Sequence, residues 1–331
     1  MVSDAFAPLV GQTRAVELLS RAVEQNRIAP AYLFAGPDGV GRSLAARCFA
    51  ECIFATKASA DVARSQALNR RLQQQNHPDL LWVEPTYLHQ GQRLTAAEAL
   101  EKGLKRKAPP QIRLEQIREI TQFLSRNALE APRLMVVVEQ AETMAEAAAN
   151  GLLKTLEEPG EATLILLAPA VENLLPTIVS RCQRIPFRRL SAEAMAQVLT
   201  QAGREVILTS PEILALAQGS PGAAIAHWEQ LKAIPAELLE ATARPPASLR
   251  AALELAQQID RELDTAGQLW LVDYLQYCFW QHHLDGHLVD IPLQLLEKAR
   301  KALLSYVQPR LVWEVTLMKI NTNFNATAHS R

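Results

Sequence analysis

The stretch AYLFAGPDGVGRSLAARCFAECIF, residues 31–54, decides the fold. Its opening, AYLFAG, is an apolar run closed by glycine, and its last twelve residues, SLAARCFAECIF, read as a helix. Between them GPDGVGRS (36–43) has the frame of a phosphate-binding loop, with Gly36, Gly41 and Ser43 in register and Gly39 inside it. Such a loop cradles phosphates with backbone N–H groups at a helix N-terminus; a lysine reaches the β- and γ-phosphates and a hydroxyl holds magnesium. Here Arg42 takes the lysine position. A guanidinium keeps the charge but is a planar fork, not a compact point charge. The expectation is a loop that folds as a phosphate loop and binds nucleotide weakly or not at all.

Working outward, strands and helices alternate as far as residue 188. LLWVEP (80–85), RLMVVVEQ (133–140) and TLILLA (163–168) are strand-length apolar runs. IRLEQIREITQFL (112–124) and AAANGLLKTLEEP (147–159) space their apolar residues as helices do, and Pro159 closes the second. This alternation implies parallel strands joined by helical crossovers, an α/β layered domain. After Phe187 the strand signals stop. Short helices are expected over 190–234, divided by GSPG (219–222), then a linker at ARPPASLR (243–250) and four amphipathic helices, with a frayed tail at NATAHSR. Three domains are expected: 1–188 α/β, 189–240 small helical, 241–331 larger helical.

Of 331 residues, 49% are apolar, enough for sizeable cores, and 34 basic residues against 35 acidic ones leave a net charge of −1. Nothing in that balance calls for nucleic acid or an anionic membrane. Four cysteines in a chain this long do not form a disulfide framework, which suits reduced thiols in the cytoplasm. MVSDAFAPLV lacks a basic region followed by a long apolar run, so no signal peptide is expected, and the runs LMVVV and LILLA are too short to span a bilayer.

ATP hydrolysis also needs an acidic residue for magnesium at a strand end, then a carboxylate to activate water. VVVEQAET supplies Glu139 and then Gln140, whose amide takes no proton at neutral pH; Glu142 stands two places too late along the chain.

GPDGVGRS, HPDLLWVEP (77–85), NGLLKTLEEP (150–159) and LLPTIVSRCQRIPF (174–187) follow one another at a spacing that resembles the clamp-loader branch of the AAA+ proteins. LVGQTRAVELLSRAVEQNRIAPAYLFAGP (9–37) fits that resemblance as well. It implies an AAA+ domain with a parallel sheet, a small helical lid and an all-α collar that joins subunits. Active motors of the family carry a polar first sensor where this chain has Pro169 and Ala170, and a second-sensor arginine where it has Gly222. The resemblance therefore implies a non-hydrolysing member of a hetero-oligomer within a bacterial DNA polymerase holoenzyme. Its partners would be ATP-hydrolysing motor subunits and a clamp-opening subunit, and indirectly the sliding clamp and primed DNA.

Ser180–Arg181–Cys182 is intact. In the family this arginine projects into a neighbour's ATP site as a finger, a role worth on the order of 10³–10⁵ in rate where phosphoryl transfer uses one. Ser180 is expected to shape the turn and Cys182 to pack as a buried thiol. A slow but active ATPase using Arg42 and Glu139, and a scaffold in which Arg181 is an ordinary paired surface arginine, stay open as alternatives.

Many relatives carry a four-cysteine zinc module before the HPD segment. Residues 53–76 contain neither cysteine nor histidine, so no zinc is expected, and a helix anchored by Leu68 and Leu72 is expected instead. Lys102, Lys105, Arg106, Lys107 and Arg113 read as a solvated basic loop, with DNA contact the alternative, since no aromatic is interleaved for stacking. His282, His283 and His287 read as surface histidines at a helix end. Trp270, Tyr274, Tyr277, Phe279 and Trp280 are too many aromatics for one core, so some are expected at a subunit interface.

Overall fold

The computed structural model describes residues 5–55, 62–102, 109–158, 160–284, 292–305 and 307–328. The expectations for Lys105, Arg106, Lys107, Pro159, His287 and the last three residues of the tail fall outside these. The chain divides into two compact units, Met1–Val198 and Leu199–Arg331.

The first unit begins with α1 (Thr13–Glu24), β1 (Ala31–Ala35), α2 (Arg42–Ala55) and α3 (Val62–Gln73). β2 (Leu80–Val83), the hairpin β3 (Tyr87–His89) and β4 (Gln92–Leu94), and α4 (Ala96–Glu101) follow. Then come α5 (Leu114–Leu124), β5 (Leu134–Val138), α6 (Glu146–Glu157), β6 (Ala162–Ala168), α7 (Pro176–Val179) and β7 (Gln183–Pro186), with α8 (Ala192–Gln201) running out of the unit. Five strands form one parallel sheet in the order β2-β5-β6-β1-β7. Every residue of the central strands β5 and β6 is buried, because helices cover both faces. Ile117, Ile120, Leu152, Leu156 and Ile178 pack onto Val136, Val138, Leu164 and Leu166 from one side.

The expected helix between Phe54 and the HPD segment is α3, with Leu68 and Leu72 buried. Three strands have no counterpart in the sequence reading. β7 lies at a sheet edge, only Ile185 of its four residues is buried, and it ends in Pro186, so neither alternation nor an apolar run marks it. The β3–β4 hairpin turns through Gln90 and Gly91, at φ 49° and 80°, a two-residue turn with a weaker signature than Asn-Gly.

The second unit is helical: α9 (Pro211–Ala217), α10 (Pro221–Ala233), α11 (Ala236–Thr242), α12 (Leu249–Glu262), α13 (Thr265–Leu284), α14 (Leu293–Leu304) and α15 (Pro309–Ala328). GSPG is a helix start: the Ser220 hydroxyl accepts from the Ala223 N–H at 3.2 Å, and Pro221 is the first helical residue. Helices on either side of residue 240 pack together here. Trp270 Nε1 on α13 donates to His227 Nδ1 on α10 at 2.9 Å. Fully buried Trp313 on α15 donates to Gln268 Oε1 at 2.8 Å.

Candidate functional site

The phosphate-type loop leaves the C-terminal end of β1, where open α/β sheets bind their ligands. The Gly36 N–H donates to the Ala168 carbonyl at 3.2 Å, and a β-carbon on Gly36 would sit 2.4 Å from the Phe187 carbonyl oxygen, so the backbone tolerates only glycine. Gly41 has φ 103°, and its own β-carbon would meet Leu9 at 2.9 Å. Gly39 lies in the turn between them, and half-buried Ser43 is the second residue of α2. Buried Gln12, which the sequence reading gave no role, ties the loop down. Its Nε2 donates to the Val40 carbonyl at 3.2 Å and the Arg188 carbonyl at 2.7 Å, and its Oε1 accepts from the Arg188 N–H at 3.0 Å.

Arg42 opens α2 and is only 8% exposed. Its Nη2 forms an ion pair with Asp38 inside the same loop, and its Nη1 is buried with no acceptor. A buried N–H left in that state costs about 1–3 kcal/mol. Such a loop fits Mg-ATP poorly: the cation that should meet phosphate already holds a carboxylate of its own chain.

Three carboxylates lie at or just beyond the C-terminal ends of β2 and β5. Glu139 follows β5, held by its N–H on the Val83 carbonyl at 2.8 Å. Across from it, burial pushes the Glu84 carboxyl up, and the neighbouring Glu139 adds to that, against a Gln75 hydrogen bond and Arg47. Gln140 is exposed and left-handed at φ 47°. The turn over Ala141–Thr143 then brings Glu142 into the field of the loop. Burial raises its carboxyl, Asp38 adds to the shift and Arg42 opposes it, while its Oε2 is buried without a partner. The sequence reading set Glu142 two places too late for the second carboxylate; the turn places it in the field of Asp38 and Arg42.

Ser180 and Arg181 follow α7. Ser180 Oγ donates to the Thr177 carbonyl at 3.0 Å. Arg181 Nη1 donates to the same carbonyl at 3.0 Å, and Nη2 pairs with Glu157 Oε1 at 2.8 Å. Both side chains are surface groups, 37% and 53% exposed. Cys182 is half-buried against the sheet's core, and burial pushes its thiol up to about 11. Burial, with Glu51 adding, likewise raises Cys48 to about 11 and Cys52 to about 12. None is poised as a thiolate nucleophile.

The HPD segment is structural. Asp79, fully buried, accepts from the N–H groups of Leu129, Glu130 and Ala131 at 2.8, 2.7 and 2.8 Å. Burial alone would raise its carboxyl, but these three amides lower it overall. Arg113 belongs to the fold more than to a basic surface: its N–H donates to Gln116 Oε1 at 3.1 Å, and its Nε is buried. Trp270 and Phe279 are core residues, whereas Trp280 is 46% exposed. Among the described residues no cluster of three or more His, Cys, Asp or Glu could hold a metal ion, and no helix is long and apolar enough to cross a membrane.

Residues 11–191 match the family described as DNA polymerase III, delta subunit, and residues 193–320 match the cyanobacterial DNA polymerase III delta prime, C-terminal domain. The DNA polymerase III subunit delta' of Bacillus subtilis is 32% identical over 191 residues, 57% of this chain and 51% of that protein. That of Pseudomonas aeruginosa is 35% identical over 199 residues, 58% of this chain and 54% of that protein. The chain thus spans about half the length of the curated relatives it matches. A DNA polymerase III gamma subunit-related protein from Thermotoga maritima shares the fold, with TM-score 0.54 at 17% identity over 93% of this chain and 99% of that one. With one family model covering more than half its length and a second the helical remainder, the chain belongs to the DNA polymerase III delta-prime family.

Proposed function

We propose that the chain is a non-hydrolysing clamp-loader subunit that serves an adjacent ATP-hydrolysing subunit by presenting Arg181 to its nucleotide. The carrying observation is the contrast between two arginines. Arg42, at the chain's own phosphate-type loop, is buried and paired with Asp38; Arg181 stands at the surface on a short, fixed turn. A cation held beside a neighbour's γ-phosphate stabilises the charge that develops during phosphoryl transfer. The altered residues Arg42, Gln140, Pro169 and Gly222 together support a chain that consumes no ATP, with nucleotide binding weak or absent and neither zinc nor another metal required. Its helical second unit would supply lid and collar, and the exposed Trp280 suits contact with further subunits, including a clamp-opening one. The assembly would place a sliding clamp on primed DNA, in the cytoplasm.

A scaffold role without a finger is the second reading, favoured by the Arg181–Glu157 ion pair, which is what a structural surface arginine makes. Clamp- and DNA-stimulated ATPase of the reconstituted loader decides between them. With Arg181→Ala at equal assembly, loss of one motor site's share supports the finger; an unchanged rate leaves the scaffold.

A further inference from the structure

Glu157 is the last residue of α6, where the helix dipole already presents partial negative charge. A carboxylate there is electrostatically misplaced unless a cation answers it, and Arg181, 24 positions on, does so. The two ends of the guanidinium fork are held separately: Nη2 by Glu157 Oε1 at 2.8 Å and Nη1 by the Thr177 carbonyl at 3.0 Å. That fixes the plane of the fork without covering it, since the side chain stays 37% exposed. A free arginine side chain samples many rotamers, and holding one geometry before the phosphate arrives removes that entropic cost from the reaction.

We propose that Glu157 is a positioning residue for Arg181, acting on an adjacent subunit's bound nucleoside triphosphate only through the orientation of that guanidinium. This rests on the finger reading of Arg181. The carboxylate touches no reacting atom. Its charge holds one end of the fork, and the Thr177 carbonyl of α7 holds the other.

The test is the stimulated ATPase of the fully reconstituted complex, with assembly measured alongside, for Glu157→Gln, Glu157→Ala, Arg181→Ala and the Glu157→Ala/Arg181→Ala double variant. Glu157→Ala is expected to slow the Arg181-dependent share of kcat about two- to fivefold, the scale of one exposed ion pair, with KM for ATP unchanged. Glu157→Gln, which keeps an acceptor, should recover part of that loss. The double variant should be no slower than Arg181→Ala alone, because Glu157 has nothing left to orient. An additive loss in the double variant, a faster rate with Glu157→Ala, or no change from it while Arg181→Ala remains slow would each overturn the positioning role and leave the finger standing. No change with Arg181→Ala itself would remove the finger reading instead.

Discussion

Two arginines in one α/β unit stand in opposite surroundings. Arg42 sits where a motor protein would meet its nucleotide, yet it is almost fully buried and engaged by Asp38 four residues earlier. Arg181, by contrast, is held at the surface by Glu157 and the Thr177 carbonyl. The difference lies in desolvation. A buried, paired cation contributes to the shape of a loop, whereas one in contact with water and anchored at two points can be offered to another molecule. Burial thus separates the two arginines, and the proposed function rests on that difference.

The comparison breaks most directly at Arg181. If it is a finger, Arg181→Ala lowers turnover at the neighbouring motor site by on the order of 10³–10⁵, seen in the assembled complex as loss of that site's share while assembly is unchanged. Next in size is Asp79, a buried ionised group with no part in either arginine's chemistry. Asp79→Asn is expected to cost about 3 kcal/mol in chemical denaturation, since one carboxylate receives three amides, and to leave the complex's ATPase intact in whatever remains folded. Its folded-state pKa is lowered, so its contribution is present above the ordinary aspartate range near pH 4 and disappears as pH falls through the lower folded value. A denaturation series from pH 7 to 2 on wild type and Asp79→Asn should therefore converge at the acid end.

Asp38→Asn sharpens the contrast at the loop. It leaves a buried guanidinium half-paired, for an expected loss of about 1–2 kcal/mol, and Arg42→Met should cost less because it removes the desolvated cation altogether. Either variant changing the complex's ATPase by more than its assembly would contradict the division between the arginines. The smallest effect is expected at Glu142. Burial raises its folded-state pKa, so its ionised form destabilises the fold at neutral pH. Glu142→Gln should gain less than about 1 kcal/mol at pH 7, and the gain should fade as pH drops below the ordinary glutamate range.

Much of the fold was legible in advance because burial writes itself locally. LMVVV is wholly apolar and ATLILLA is so but for Thr163, and they become the two fully buried strands; Leu68 and Leu72, one turn apart, face inward as their spacing implies. The phosphate-loop frame was legible for the same reason, since Gly36 and Gly41 answer backbone constraints that no other residue meets. β7 and the β3–β4 hairpin were not, because edge and exposed strands bury too little to leave a pattern.

By itself, then, the sequence determined the layered sheet, the loop frame, and the identity of the residues standing at its chemical positions. Only the tertiary structure decided what those residues meet: Arg42 closed on Asp38, Glu142 returned toward the loop by a tight turn, Gln12 bound to Arg188 across 176 residues, and Arg181 steadied by Glu157. Burial follows from periodicity along a few neighbouring residues. The partner of a charge depends on which distant segments the packed core brings within hydrogen-bonding reach, and no local pattern carries that.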